Sequence, residues 1–203
     1  MASPLDELLS APDWGWDEPG GPPRAPGVYA WAGDVVPSGL PEEGLWQRDG
    51  YSLLYVGIAP RATGGPGRDP LRTSLAPRIA YHFEGSADAS ALRTALGVVL
   101  AKPLGLTLWR HADGHRYTWG DGEAALSRWM QAHMRVRWLR HSRPWEVADM
   151  AFRNLTLPLN LRAQEPSPFQ IELGQRKAMM QTLALPELGA RPAAGDDGPA
   201  RVD

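Results

Sequence analysis

Two tyrosines, one arginine and one histidine are the residues of this chain whose types and spacing are suited to chemistry. The tyrosines belong to the tripeptides Gly-Val-Tyr at 27–29 and Tyr-Val-Gly at 55–57, each within an apolar, β-prone run. Arg78 and His82 follow four positions apart, so on a helix they share one face. Two neighbouring strands and this helix can bring phenols, an imidazole and a guanidinium to one point. Such a group is equipped to attack a phosphodiester.

Each of these side chains has a definite role in such a hydrolysis. A phenol has a pKa near 10, so Tyr29 or Tyr55 needs an imidazole or a metal-bound water to accept or relay its proton, and nearby cations lower its pKa. Arg78 binds the scissile phosphate and stabilises the charge of the transition state, and His82 is the proton partner. Taken singly, each also has a plain interpretation as a packed tyrosine, a surface cation or a core histidine.

Three further residues are candidates for support and for metal binding. Asn160 lies in Leu-Pro-Leu-Asn-Leu and is either a turn residue or the holder of a loop or a substrate phosphate. A site of this kind also needs a hard divalent cation, Mg²⁺ or Mn²⁺, held by a carboxylate. Asp149 and Glu146 are three positions apart on a predicted helix and share a face. Either is a candidate ligand, and either can equally be a solvated helix carboxylate.

The formal net charge of −2 conceals an uneven distribution along the chain. Residues 1–50 hold 2 Lys+Arg and 9 Asp+Glu, residues 51–145 hold 13 and 6, and residues 146–203 hold 6 and 8. Of the 13 central cations 12 are arginine, whose planar fork grips phosphate. The central segment therefore favours DNA as partner. A GC-rich genome that encodes arginine in place of lysine gives the same composition, so the placement of the arginines has to decide between the two interpretations.

Length and composition limit the number of domains, the kinds of metal site and the location of the protein. The chain has 203 residues, 43% of them hydrophobic, which suits one domain with a core. It has no cysteine, which excludes disulfides and thiolate metal sites. We find no run of about 20 apolar residues and no signal-peptide pattern, so we expect a soluble, cytoplasmic protein.

The elements that must position the candidate residues follow from hydrophobic patterning and turn signals. We expect a flexible acidic arm at 1–25, a folded domain at 26–185, a mobile basic loop at 59–73 and a disordered tail at 186–203. Strands are predicted at 27–32, 52–58 and 136–139, with a hairpin at 106–110 and 116–119. Helices are predicted at 74–83, 88–101, 122–134, 145–155 and 168–183. This mixture lacks strict βαβ alternation and is typical of an α+β fold.

The candidate residues, taken in order, match a known pattern. The chain resembles the GIY-YIG nuclease superfamily, and in particular a group of stand-alone actinobacterial GIY-YIG proteins, from residue 27 to about residue 176. The shared phrases are Leu-Leu-Tyr-Val-Gly-Ile-Ala-Pro-Arg, Leu-Arg-Thr-Ala-Leu-Gly, Gly-Glu-Ala-Ala-Leu-Ser-Arg-Trp-Met and Leu-Pro-Leu-Asn-Leu. The resemblance implies a small three-stranded antiparallel sheet flanked by helices, here with an additional hairpin and helices. It also implies hydrolysis of a phosphodiester at one metal.

The resemblance also assigns roles to individual residues. Tyr29 and Tyr55 become the site tyrosines, Arg78 the phosphate arginine, His82 the helper and Asn160 the support. We therefore expect a metal-dependent endonuclease acting on DNA. The alternatives are a non-catalytic nucleic-acid-binding module on the same fold, or a scaffold reused for another ligand.

Two features depart from the family pattern. The segment at 33–51 between the two tripeptides is longer than usual. The family also places a glutamate roughly twelve residues before its asparagine, and here that position is Ala148. Asp149 lies eleven residues before Asn160 and Glu146 fourteen. We prefer Asp149 for its position, with Glu146 as the alternative that keeps the residue type.

Overall fold

The computed structural model describes residues 2–60, 74–161 and 166–186. Most of the predicted loop at 59–73, from residue 61 onward, and the predicted tail at 186–203, from residue 187 onward, lie outside these residues. The helices are α1 (Pro4–Ser10), α2 (Leu75–Glu84), α3 (Ala91–Leu104), α4 (Gly122–His133), α5 (Pro144–Asn154) and α6 (Pro168–Thr182), with a 3-10 turn at Ala87–Ala89. The strands are β1 (Gly27–Gly33), β2 (Gln47–Arg48), β3 (Tyr51–Ala59), β4 (Trp109–Arg110), β5 (Tyr117–Thr118), β6 (Met134–Arg140) and β7 (Leu185–Pro186).

The main sheet has four antiparallel strands in the order β2-β3-β1-β6. The sequence predicted β1, β3 and β6. The expected number of three strands was wrong, because β2 adds a fourth. This strand pairs with Tyr51 and Ser52 at the start of β3 and comes from the long segment between the two tripeptides. A strand of two residues has no periodic pattern, so hydrophobic alternation could not reveal it.

A second, smaller sheet has the strand order β5-β4-β7. The predicted hairpin supplies β4 and β5, which pair through Trp109 with Thr118 and Arg110 with Tyr117. The strand β7 follows α6 and pairs parallel to β4. The mixture of helices and largely antiparallel sheets agrees with the α+β prediction.

The main sheet separates two apolar clusters because successive side chains of a strand point to opposite faces. Tyr29 and Trp31 point to the face covered by α2, α3 and α4, which we call the α2 face. Val28 and Ala30 point to the face covered by α1 and α5, which we call the α5 face. Every residue of β1 is buried, as expected for a strand between two layers. The face of a side chain therefore decides which helices it can meet.

The N-terminal segment, predicted as a flexible acidic arm, makes specific contacts with the sheet. Leu8 is fully buried on the α5 face, and the backbone of Trp14 exchanges two hydrogen bonds of 2.9 and 3.0 Å with that of Val136 in β6. Asp13 accepts two hydrogen bonds of 2.6 and 2.8 Å from the Nη2 atom of Arg137. These contacts tie the acidic segment to the basic strand β6.

No helix within the described ranges is long and apolar enough to traverse a lipid bilayer.

Candidate active site

The helix α2 carries two of the predicted site residues onto the α2 face of the sheet. Leu75, Ile79 and Phe83 recur at helical spacing and are all fully buried against the sheet. Arg78 and His82 lie one turn apart on the same helix. Packing of the apolar stripe therefore aims both polar side chains at β1.

The hydroxyl of Tyr29 receives both of these side chains. The Nε2 atom of His82 lies 2.8 Å from the Tyr29 oxygen, and the Nε atom of Arg78 donates to the same oxygen at 3.4 Å. Tyr29 is 1% exposed and His82 is fully buried. The structure thus brings the phenol, the imidazole and the guanidinium to one point, in the combination that the sequence suggested.

A serine that the sequence analysis missed contacts the other side of the imidazole. The Oγ atom of Ser90 lies 2.8 Å from Nδ1 of His82 and also accepts the backbone N–H of Arg93 at 3.1 Å. Ser90 is the residue that caps the start of α3. The helix was predicted to begin at 88, which placed Ser90 inside it, and recognising a serine cap before Ala91 could have found it.

The 3-10 turn beside Ser90 helps to position Arg78. The Nη1 atom of Arg78 donates to the carbonyl oxygen of Ala89 at 3.0 Å. The neighbouring Asp88 accepts the hydroxyl hydrogen of Tyr81 at 2.9 Å. Burial, together with this hydrogen bond, raises the pKa of Tyr81 above its ordinary value. The turn therefore fixes both the arginine and the next turn of α2.

Tyr55 lies on β3 at the edge of the same group. Its ring is 6.1 Å from that of His82 between centroids, in an edge-on arrangement, and 7% of the residue is exposed. In the register of the sheet Tyr55 is opposite Trp31, whose ring also meets His82 edge-on at 5.8 Å. The two site tyrosines are therefore both packed around the imidazole of His82.

Two glycines of the tripeptides permit close approaches that a larger residue would block. A Cβ atom at Gly57 would lie 2.4 Å from the hydroxyl oxygen of Tyr29, and one at Gly27 would lie 2.3 Å from the carbonyl oxygen of Leu139. Gly57 is opposite Tyr29 in the register. Absence of a side chain at 57 therefore provides the space in which the phenol reaches α2.

Asn160 acts on the strand that carries Tyr55. Its Oδ1 atom accepts the backbone N–H of Val56 at 2.9 Å, and its Nδ2 atom donates to the carbonyl oxygen of the same residue at 2.8 Å. The strand β2 pairs only with Tyr51 and Ser52, so Val56 lies beyond the paired part of that edge of β3. Asn160 thus supplies the hydrogen bonds that a neighbouring strand would otherwise make.

The two candidate metal ligands are not brought to the tyrosines. They belong to α5, whose buried residues Val147, Ala148 and Ala151 pack into the cluster of the α5 face. Asp149 is exposed, and Glu146 forms an ion pair of 2.9 Å with Arg143. The sheet lies between the buried side of this helix and Tyr29, and a metal-binding role for Asp149 or Glu146 stays a prediction.

A search of the described residues for three or more His, Cys, Asp or Glu side chains able to hold a metal found no such group. The position at which the resemblance would place a glutamate, Ala148, is itself buried against the α5 face. Within the described ranges, a divalent ion beside Tyr29 would therefore have to be held by fewer than three such side chains, with water and phosphate oxygens as its other ligands.

A buried ion pair that the sequence analysis missed contacts the C-terminal end of α2. The Nη2 atom of Arg93 lies 2.6 Å from Oε2 of Glu123, and the side chain of Arg93 is fully buried. The Nη1 atom of Arg93 donates to the carbonyl oxygens of His82 and Phe83 at 3.2 and 3.0 Å. Glu123 also accepts the N–H of Ala87 at 2.8 Å. The pair connects the end of α2, the 3-10 turn and the start of α4.

Several arginines of the central segment at 51–145 form ion pairs within the fold. Arg93 is paired with Glu123, Arg137 with Asp13, and Arg135 with Glu18 at 3.7 Å. Two of these partners come from the acidic segment at 1–50. The opposite charges of the two segments therefore partly neutralise each other. The excess of positive charge counted from the sequence is larger than the excess on the surface that a nucleic acid could contact.

Comparison with models of known protein families assigns this chain to a family. A family model described as the GIY-YIG catalytic domain matches residues 27–179. Searches of curated proteins and of solved structures gave no match. The matched range runs from the first tripeptide through Asn160 and into α6, and so contains the whole cluster around Tyr29. It covers most of the chain, which therefore belongs to the GIY-YIG family of nucleases.

Proposed function

We propose that this chain is an endonuclease that hydrolyses phosphodiester bonds in DNA. The observation that carries the proposal is the hydroxyl oxygen of Tyr29, which faces Nε2 of His82 at 2.8 Å and Nε of Arg78 at 3.4 Å. A guanidinium beside a phenol offers a binding group for a phosphoryl oxygen next to a group that handles the proton of water. The match to a nuclease family supports the same reading.

Arg78 is suited to the phosphate because its guanidinium has donors to spare. It carries five N–H hydrogens, and one N–H each is directed to Tyr29 and to the carbonyl of Ala89. The remaining donors can bind the scissile phosphate and stabilise the negative charge that grows on it in the transition state. In the proposed reaction Tyr29 activates the attacking water directly or through a neighbour, and Tyr55 borders the same site.

GIY-YIG nucleases commonly use divalent metals, and a bound ion would supply charge stabilisation and an activated water. Because Asp149 and Glu146 lie on the helix of the α5 face, the proposed reaction assigns roles only to Tyr29, Tyr55 and Arg78. A requirement for Mg²⁺ or Mn²⁺ is proposed from membership of the family, and cleavage is tested with both ions.

The test is cleavage of supercoiled plasmid DNA with Mg²⁺ or Mn²⁺, comparing the wild type with Arg78→Ala. We expect nicking by the wild type and a loss of roughly 10²–10³-fold in the variant, as for removal of a charge-stabilising donor. The matched control is Arg153→Ala, which removes the same charge from an exposed position on α5. Equal nicking by the wild type and Arg78→Ala would contradict the proposal.

A second candidate function is a nucleic-acid-binding module without catalysis. The observation that favours it is the ion pair of Glu146 with Arg143 and the location of α5 on the opposite face from Tyr29. This candidate predicts a gel shift that weakens as salt rises, without cleavage in either ion. Metal-stimulated cleavage that Arg78→Ala abolishes rules it out.

A further inference from the structure

Three buried side chains form one continuous line of hydrogen bonds behind the candidate site. Ser90 Oγ lies 2.8 Å from His82 Nδ1, and His82 Nε2 lies 2.8 Å from the hydroxyl oxygen of Tyr29. We propose that Ser90 is a positioning residue, which fixes the hydrogen of neutral His82 on Nε2 and thereby makes His82 a donor to Tyr29. Its consequence for cleavage rests on the proposed function, whereas the position of the hydrogen can be measured alone.

The position of the Ser90 hydroxyl hydrogen follows from the contacts of its Oγ atom. Its Oγ atom accepts the backbone N–H of Arg93 at 3.1 Å, so one of its lone pairs is occupied. Its hydroxyl supplies a single hydrogen. Among the described residues, Nδ1 of His82 is the one acceptor within hydrogen-bond distance of that oxygen. Ser90 is 1% exposed, so water does not offer an easy alternative. The serine hydrogen is therefore directed to Nδ1.

The protonation of the imidazole follows from this assignment. A neutral histidine carries one N–H, and a nitrogen that accepts a hydrogen bond is the one without it. Nε2 then carries the hydrogen and donates it to the oxygen of Tyr29. The opposite tautomer would direct an N–H at Ser90 and leave the serine hydrogen without an acceptor in a buried place, which is unfavourable.

The charged groups around His82 favour the neutral imidazole over the imidazolium. Arg78 lies one turn away on the same helix, and Arg93 of α3 donates to the carbonyl oxygen of His82. Glu123 faces Arg93 rather than the imidazole. Tyr55 and Trp31 pack edge-on against the ring from β3 and β1. Among the described residues, Arg78 and Arg93 thus bring two positive charges towards a fully buried imidazole, and burial and like charge both disfavour the imidazolium.

The consequence concerns the hydrogen of Tyr29 itself. Its oxygen receives one N–H from His82 and one from Arg78, so its own hydrogen points away from both. When Tyr29 gives up that hydrogen, both N–H donors remain in place to stabilise the phenolate. His82 therefore acts on Tyr29 as a hydrogen-bond donor, and it does not remove the tyrosine proton at Nε2.

The direct test is NMR of the folded protein labelled with ¹⁵N-histidine. Long-range ¹H–¹⁵N correlations distinguish a protonated from an unprotonated ring nitrogen, and His82→Gln assigns the signal among the 5 histidines. We expect His82 to be neutral with its hydrogen on Nε2. A wild type whose hydrogen is on Nδ1, or whose His82 is an imidazolium at neutral pH, would overturn the proposal without any variant.

Three variants distinguish the effect of the hydrogen bond that Ser90 donates from the effect of its helix cap. Ser90→Asp keeps an acceptor for the N–H of Arg93 but has no hydrogen to donate, so we expect Nδ1 to become protonated. Ser90→Thr keeps both functions and the wild-type pattern. Ser167→Ala removes the matching serine cap of α6 and should leave His82 unchanged. An unchanged His82 spectrum in folded Ser90→Asp would also overturn the proposal.

The cleavage assay tests the consequence for the reaction. We expect Ser90→Asp to lower kcat by about 10²-fold or more with little change in KM, and Ser90→Thr to retain activity. If Ser90→Asp shows the changed tautomer and still cleaves like the wild type, the positioning role is overturned. If the wild type cleaves nothing, the proposed function fails, and the spectra alone decide the assignment of the hydrogen.

Discussion

The Nε2 atom of His82 lies 2.8 Å from the hydroxyl oxygen of Tyr29, although 53 positions separate the two residues in the sequence. The contact requires a strand in the middle of the sheet, a helix packed directly upon it and a glycine opposite the phenol. The chain supplies them as β1, α2 and Gly57. The two tripeptides supply Tyr29 and Gly57, and both residues are needed for this one buried polar contact.

Removal of the Tyr29 hydroxyl should abolish most cleavage while leaving the fold intact. Tyr29→Phe retains the packed ring and removes the oxygen that His82 and Arg78 contact. We expect a loss of roughly 10²–10⁴-fold in kcat, the usual contribution of a group that moves a proton in the transition state. Tyr51→Phe at the start of β3 is the control. Comparable activity in both variants would show that the Tyr29 hydroxyl has no chemical role.

A methyl group at position 57 should displace the phenol. In Gly57→Ala the new carbon would lie 2.4 Å from the hydroxyl oxygen of Tyr29 and 2.5 Å from Cζ. We expect a loss of about 1–3 kcal/mol in the free energy of unfolding, as for other overpacked cores, together with loss of cleavage.

The control for this variant is Gly174→Ala in α6, where a Cβ meets nothing within 4 Å. Alanine is the better helix former, so this change should stabilise the protein by about 0.5–1 kcal/mol. Urea denaturation measures both variants. A Gly57→Ala protein as stable as the wild type would mean that Tyr29 has room to move.

Local patterns predicted the elements that carry the site but not every contact between them. Patterning and turn signals predicted a helix at 74–83 that carries Arg78 and His82, and β-prone runs placed Tyr29 and Tyr55 on strands. Ser90 was missed because its helix was predicted to begin two residues before it. The offset of Asp149 from Asn160 suggested a ligand, but sequence separation does not reveal which face of the sheet a helix covers.

The pair of Arg93 and Glu123 was also beyond sequence reasoning, because 30 positions separate two residues that each look like ordinary helix charges. Arg93→Met should lower the free energy of unfolding by about 3–5 kcal/mol, since it leaves a largely buried carboxylate without its cation. Adding Glu123→Gln should recover part of this loss, because the amide oxygen can still accept the N–H of Ala87.

Denaturation of the single and double variants measures the coupling of this pair. The control is Arg143→Met, whose ion pair with Glu146 has side chains 64% and 43% exposed. Such a pair contributes less than about 1 kcal/mol. If Arg93→Met proves as mild as Arg143→Met, the buried pair does not support α2.

Stability at alkaline pH should depend on Tyr81. Burial and the hydrogen bond to Asp88 raise the pKa of this phenol in the folded state, so folding favours its protonated form. Its contribution is complete below the unfolded value of about 10 and is lost as the pH rises through the higher folded value. The melting temperature of the wild type should fall more steeply above about pH 10 than that of Tyr81→Phe. Parallel curves would contradict this assignment.

Asn160 should matter through β3 and not through direct contact with a substrate. Asn160→Ala leaves the N–H and the C=O of Val56 without their partners at 2.9 and 2.8 Å. Unpaired buried groups cost about 1–3 kcal/mol each, so we expect a clear loss of stability, measured by urea denaturation. Asn160→Asp can still accept the N–H but cannot donate to the carbonyl, and it should be intermediate. A variant that keeps full stability but loses cleavage would instead make Asn160 a substrate ligand. The two interpretations can be distinguished because a residue that supports β3 affects the stability of the fold. It affects Tyr55 only through the backbone of that strand.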